Sequence, residues 1–146
     1  MASRVPHTGV AGEVLTAANL AKYPKGEIGT EEGTALNIGT SEVDIAVVTV
    51  TVGADRLLHI YANASITDGD IAVGGQLFIE EGTTNLGRVH RHPDLADESF
   101  GAGHARVNAP SAGSHTYKLV GVTTSGVFDL FGNGRIEVID VGPAYS

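Results

Sequence analysis

A chain of 146 residues with 42% hydrophobic content is the size of one domain with a core of its own. Its formal charge of −8, with only nine scattered Lys and Arg, excludes a phosphate-gripping face, and the absence of cysteine excludes disulfides and thiol chemistry. Twenty glycines, no tryptophan and 5% aromatic residues suit many short strands with tight turns better than packed helices. The first ten residues hold no continuous apolar run of the kind a signal peptide needs, and no stretch approaches the ~20 apolar residues of a membrane helix. The expectation is a soluble chain made in the cytoplasm, with no nucleic-acid partner and no membrane insertion.

Residues 1–12 are polar and punctuated by Pro6, Gly9 and Gly12, which predicts an extended arm. Thr16 is placed to cap a short helix that opens on Ala17, Ala18 and Asn19, with Val14, Leu15, Leu20 and Tyr23 as its apolar residues. Pro24 and Gly26 stop it. Isolated helices shorter than ~12 residues are marginal in water, so this one needs a surface to dock on. Two readings follow for residues 1–26: a tether with transient helix, or an assembly arm that orders on a partner.

The β domain is expected over residues 27–146. Glu27 to Glu42 reads as strand or loop. Ile45 to Val52 is almost wholly β-branched, with Val48, Val50 and Val52 on one face and Thr49 and Thr51 on the other. Gly53, Ala54 and Asp55 form a turn, after which Leu58, Ile60, Ala62, Ala64 and Ile66 alternate with His59, Tyr61, Asn63 and Ser65. The two runs are predicted to pair as a hairpin. Thr67 to Asp70 is a turn. Ile71 to Glu80 is a strand with Ile71, Val73, Leu77 and Ile79 on one side and a bulge or bend at Gly74 and Gly75. Asn85 to Arg91 reads as a polar strand, Pro93 to Ser99 as an acidic loop, and Phe100 to Asn108 as a Gly-rich strand.

Ala109 to Thr124 opens on a loop at Pro110 and Gly113 and continues as a long strand. Its first half has one apolar face, with His115, Tyr117 and Leu119 together, and its second half is apolar on both. That pattern predicts a strand well inside a sheet. Val127 to Phe131, a GNG turn, and Arg135 to Val141 complete the chain, with Gly142 and Pro143 ending the last strand. About eight strands at this spacing predict an all-β antiparallel sandwich or jelly roll with an N-terminal arm.

Three phrases, GEVLTAANLAKYPKG (residues 12–26), SAGSHTYKL (111–119) and IEVIDVGPA (136–144), together resemble a family of small virion proteins of tailed phages, usually called minor tail proteins. The resemblance implies a non-enzymatic structural protein whose partners are other virion proteins of tail or capsid and whose location is the virion. An arm with a compact knob would equally serve a capsid decoration or head-fibre protein. The alternative is a module at the tail tip that binds a host-surface glycan or protein. Several strands carry apolar residues on both faces, as at Ile45 to Val48 and at Leu119 and Val120, which implies a second covered surface between copies. Compact jelly-roll modules of phage fibres and of the tumour-necrosis-factor and complement-like folds suggest, by analogy, a homotrimer.

His90 and His92 share a strand face, and two imidazoles at that spacing suit a transition metal. With no cysteine and no third ligand at fixed spacing, a ligand or subunit contact is the stronger reading, and no metal or cofactor is expected. Asp68 and Asp70, and Asp94, Asp97 and Glu98, lack the spacing of a calcium loop and read as turn formers. Ser111 and Ser114 lie near His115 only in sequence, and no G-x-S-x-G elbow or phosphate loop occurs, so no catalytic residue is assigned. Tyr61 and Tyr117 are the outward tyrosines expected to meet a ligand or another subunit, with Tyr145 a third candidate.

Overall fold

The computed structural model describes residues 23–35, 37–67, 74–92 and 98–144. In them lie nine strands: β1 (Gly26–Gly33), β2 (Val43–Val52), β3 (Arg56–Thr67), β4 (Gly75–Glu81), β5 (Thr84–His92), β6 (Glu98–Asn108), β7 (Gly113–Thr123), β8 (Asp129–Leu130) and β9 (Gly134–Pro143). They form two antiparallel sheets, one ordered β1-β9-β3-β6 with β8 paired to β3, the other β2-β7-β4-β5. Period-two alternation gives each strand one apolar side. Leu58, Ile60, Ala62, Ala64 and Ile66 of β3 share a single buried cluster with Val48, Val50 and Val52 of β2, Leu77 and Ile79 of β4, and Tyr117 and Leu119 of β7. The molecule is the all-β antiparallel sandwich that the sequence predicts. The helix expected at residues 16–23, with Val14, Leu15 and Leu20, falls outside the described residues apart from Tyr23.

β7 lies between β2 and β4, the central place its apolar pattern predicts. The expected hairpin of β2 and β3 does not form. β2 pairs β7 along its length, and β3 pairs β6 on one side and β9 on the other. Gly53, Ala54 and Asp55 carry the chain across from one sheet to the other, Asp55 in the left-handed region at φ 56°. Alternation says only that one face of each strand is buried. Two strands facing each other across a core show it as plainly as two strands side by side in a sheet.

The two-sided apolar pattern at Ile45 to Val48 also has a local cause. A register shift between Asp44 and Ala46 inserts an extra residue in β2, so Ile45 and Ala46 are both buried and Val47 points outward and exposed. No surplus buried face is needed there. Phe78 and Val120 differ: they sit opposite each other on the outward side of β4 and β7, and both are buried outside the central cluster.

Close approach of the two sheets at their edges requires glycine. A Cβ on Gly103 of β6 would stand 2.6 Å from the Val89 Cα and 2.7 Å from the Arg88 carbonyl oxygen of β5. At the opposite edge a Cβ on Gly33 of β1 would collide with the Ile45 carbonyl of β2. The bend expected at Gly74 and Gly75 has a packing reason too, because the Phe128 ring lies where a Gly75 Cβ would go.

One buried ion pair fastens the end of the sandwich where the chain changes sheets. Arg56, the first residue of β3, donates from Nε to Asp140 Oδ2 at 2.9 Å and from Nη2 to Oδ1 at 2.5 Å, and the two residues are 4% and 1% exposed. Asp140 Oδ1 also accepts the Gly142 amide at 3.0 Å, and Arg56 Nη2 donates to the Tyr23 carbonyl at 2.7 Å. Arg56 Nε and Nη2 and both Asp140 oxygens are aimed at partners, which is the condition under which buried charge is tolerated. Asp140→Ala should lower the unfolding free energy by about 3–5 kcal/mol, because it strands a buried guanidinium. Replacing both partners with apolar residues, as Arg56→Met with Asp140→Leu, should recover most of that loss; urea midpoints of the three proteins measure both effects.

A candidate interaction face

The outward side of β3 carries His59, Tyr61, Asn63 and Ser65, the alternation read from the sequence. Its neighbours come from distant parts of the chain. Tyr61 lies between His104 of β6 and Glu137 of β9, His59 between Arg106 and Ile139, and Asn63 between Ala102 and Arg135. The Tyr61 and His104 rings stack with centroids 5.5 Å apart and planes 23° apart, and the His59 ring stands 5.5 Å from His104. His59 Nδ1 and Tyr61 Oη share a hydrogen bond of 3.3 Å. Burial, then the neighbouring His104 and the Arg106 guanidinium, push the His59 imidazole below its ordinary value, which favours the neutral ring.

Beyond this cluster Ser65 pairs with Phe100 of β6, and the Ser65 carbonyl accepts the Phe131 amide. Phe100 is 63% exposed, Phe131 60% and Tyr61 42%. The chain has four phenylalanines, and it leaves two of them on the surface around one strand end. Together Tyr61, His104, Phe100 and Phe131 make a ridge of exposed rings across β3, β6 and the end of β8, an arrangement suited to contact with another macromolecule.

The residues singled out by sequence fare differently. Tyr61 sits at the centre of this face. Tyr117 does not reach a surface: its parity in β7 turns it into the core, it is 0% exposed, and its hydroxyl finds no hydrogen-bond partner. Burial raises that hydroxyl well above the ordinary tyrosine range. His90 packs over Gly101, and its Nε2 shares a 2.9 Å hydrogen bond with Ser99 Oγ; His92 closes β5. No group of three or more metal-binding side chains occurs among the described residues. Tyr23 is held by its carbonyl at Arg56, while Tyr145 and the segments around Asp68, Asp70, Asp94 and Asp97 lie outside the described residues. His59, His104, Arg106 and Phe100 were not singled out. Each is outward by parity in its own strand, but only the β3–β6 register brings them together.

His115 is committed elsewhere. Its Nδ1–H donates to Glu81 Oε1 at 2.5 Å and its Nε2–H to the Ser111 carbonyl at 2.8 Å, while the ring stacks on Tyr117. Both nitrogens therefore serve as donors, the arrangement of a charged imidazolium. Neither is left to act as a base toward Ser114, whose side chain points to the other face.

No protein-family model matches this sequence, and no curated protein is similar to it. Solved structures do match. The chain is similar to Eiger TNF from S. frugiperda at 11% identity and a TM-score of 0.51, over 84% of this chain and 97% of that one. It is similar to the globular domain of zebrafish complement 1qA protein at 7% identity and 0.51, over 82% and 99%. Murine APRIL matches at 10% identity and 0.50, over 79% and 99%. At such identities the likeness defines architecture: the domain is a jelly-roll β-sandwich of the TNF-like type. Among the described residues no helix is long and apolar enough to cross a membrane.

The His115 contacts carry a pH signature. The hydrogen bond to Glu81, then the one to the Ser111 carbonyl, raise its pKa above 6.5 against the opposing effect of burial. A raised folded-state pKa means the stabilisation is complete below the unfolded value and is lost as pH rises through the folded one. The urea midpoint should therefore fall between about pH 6 and about pH 9 by an increment that His115→Ala lacks. Equal pH profiles for the two proteins would show that the charged imidazole contributes nothing.

Proposed function

We propose that this chain is a non-enzymatic binding module that works as an assembly of copies. The observation that carries the reading is the ridge of exposed rings on the outer side of the β1-β9-β3-β6 sheet, in a chain otherwise sparing with aromatics. The TNF-like architecture supports it, since a fold places function in the surfaces it displays and not in the sandwich itself. Copies packed through this face would repeat every loop of the sandwich around the assembly. Repetition of that kind turns weak single contacts with a host-surface glycan or protein into firm attachment.

The assembly is tested by sedimentation equilibrium of the intact chain. Self-association is expected, and Phe100→Asp with Tyr61→Asp should leave a folded monomer, because each buries a charge against apolar surface. A chain that stays monomeric at every concentration would overturn the reading. Binding is tested with labelled protein on host cells: saturable binding is expected, with loss when the segments around Asp68 and Asp97 are replaced.

A second reading is a structural role in a tailed-phage virion, as a minor tail, capsid decoration or head-fibre protein. It is supported by the three sequence phrases and by the way Tyr23 and Lys25 are fastened. Arg56 holds the Tyr23 carbonyl, and the Lys25 amide donates to the Asp140 carbonyl at 3.2 Å, so anything joined to residues 1–22 pulls directly on the sandwich. In this reading a chain lacking residues 1–26 folds but does not enter particles. Normal incorporation of the shortened chain would remove the arm from the account.

A further inference from the structure

Phe78 on β4 and Val120 on β7 point away from the central cluster, yet they are only 8% and 1% exposed. Tyr61 gives the contrast. It too points outward from a strand flanked on both sides, and it is 42% exposed. Phe78 is flanked in the same way, by β5 and β7, so flanking strands alone do not hide a ring of that size. The described strands make two layers, and neither sheet lies over the outward side of β4 and β7. The described loop 37–42 runs beside the end of β7, where the Gly39 carbonyl accepts the Thr123 amide at 2.9 Å. Glu80, the next outward residue of β4, is buried as well. That burial, then the nearby Glu42, raises its carboxyl above the ordinary value against the pull of Lys118.

Chain length limits what the cover can be. Residues 68–73 join β3 to β4 and residues 93–97 join β5 to β6, so both are held at two ends. Both must also cross the ~10 Å between the sheets. Phe78 lies three residues into β4 from Gly75, about 10 Å along the strand. Segments of this length reach at most about 20 Å, too little to cross, run up to Phe78 and return. Residues 145–146 follow Ala144, whose amide donates to the Asp55 carbonyl at the opposite end of the sandwich. Residues 1–22 are joined to the described fold at Tyr23 and span up to about 70 Å. They hold Val5, Val10, Val14 and Leu15, and the short helix expected after Thr16 needs a surface of its own.

We infer that residues 5–15 of this chain lie on the outer side of the β2-β7-β4-β5 sheet, with Val10, Val14 and Leu15 against Phe78 and Val120. The contact closes an apolar strip that would otherwise invite unspecific association. It is separate from the ridge around Tyr61, which stands on the other sheet.

The chain has no cysteine, so one introduced thiol reports on one place. In the full chain, Val120→Cys should react with iodoacetamide slowly. Adding Val10→Asp, Val14→Asp and Leu15→Asp should speed that reaction by about tenfold or more. Val122→Cys, half-buried on the same side of β7, is the second probe if Val120→Cys does not fold. Ala62→Cys faces the core between the sheets and should stay equally protected with and without the arm changes. Equal rates at Val120→Cys with both arms would overturn the assignment. So would a matching rise at Ala62→Cys, which would mean that the whole sandwich had loosened. Protection of Val120→Cys that is lost on dilution would make a second copy the cover, and the occupant named here would be wrong.

Discussion

The sandwich depends on the Arg56–Asp140 ion pair because four separate pieces of chain meet there. Arg56 begins β3 just after the turn that changes sheets, and Asp140 lies on β9 beside the bulge in its pairing with β3. Tyr23 is tied to Arg56 through its carbonyl, and the Ala109 amide donates to the Arg56 carbonyl at the end of β6. A hydrophobic pair could fill this volume but could not satisfy so many directed backbone groups. The ion pair therefore sets geometry more than it adds net stability. With it in place, β9 and β3 lie side by side, and β3 presents its outward residues at a fixed height against β6.

That placement makes the candidate face. Tyr61 stacks on His104 only because Tyr61 and His104 are opposite in the β3–β6 register. A slip of one residue would turn His59 and Tyr61 into the core and bring Ile60 out. The same rigidity holds the edges. Glycines at Gly33 and Gly103 let the sheets close, which brings the β5 backbone onto β6 at one side and β1 over β2 at the other.

Much of this was legible beforehand, in a particular way. The shared faces of Val48, Val50 and Val52 on β2 and of Leu58, Ile60, Ala62, Ala64 and Ile66 on β3 were read correctly, and so was the central place of β7. What misled was the use of proximity in sequence as a guide to pairing, which joined β2 to β3. Tyr117 was misplaced for a related reason. Its parity with His115 and Leu119 was right, but which side of β7 faces the core is decided by the other sheet, and Leu119 and Tyr117 share the buried one. The bulge at Ile45 was equally invisible, since an extra residue in a β-branched run leaves no local mark.

From its own residues the chain determined that it would be antiparallel β, which side chains of each strand would share a face, and that disulfides would play no part. These properties depend on backbone alternation and on residue type, which act over a few residues at a time. The tertiary structure alone decided which strands became neighbours, and that His59, Tyr61 and His104 would form one cluster with Arg106. Those outcomes depend on pairings between residues far apart in the chain, where the free energy comes from burying two sheets against each other and from a register that only the assembled core can impose.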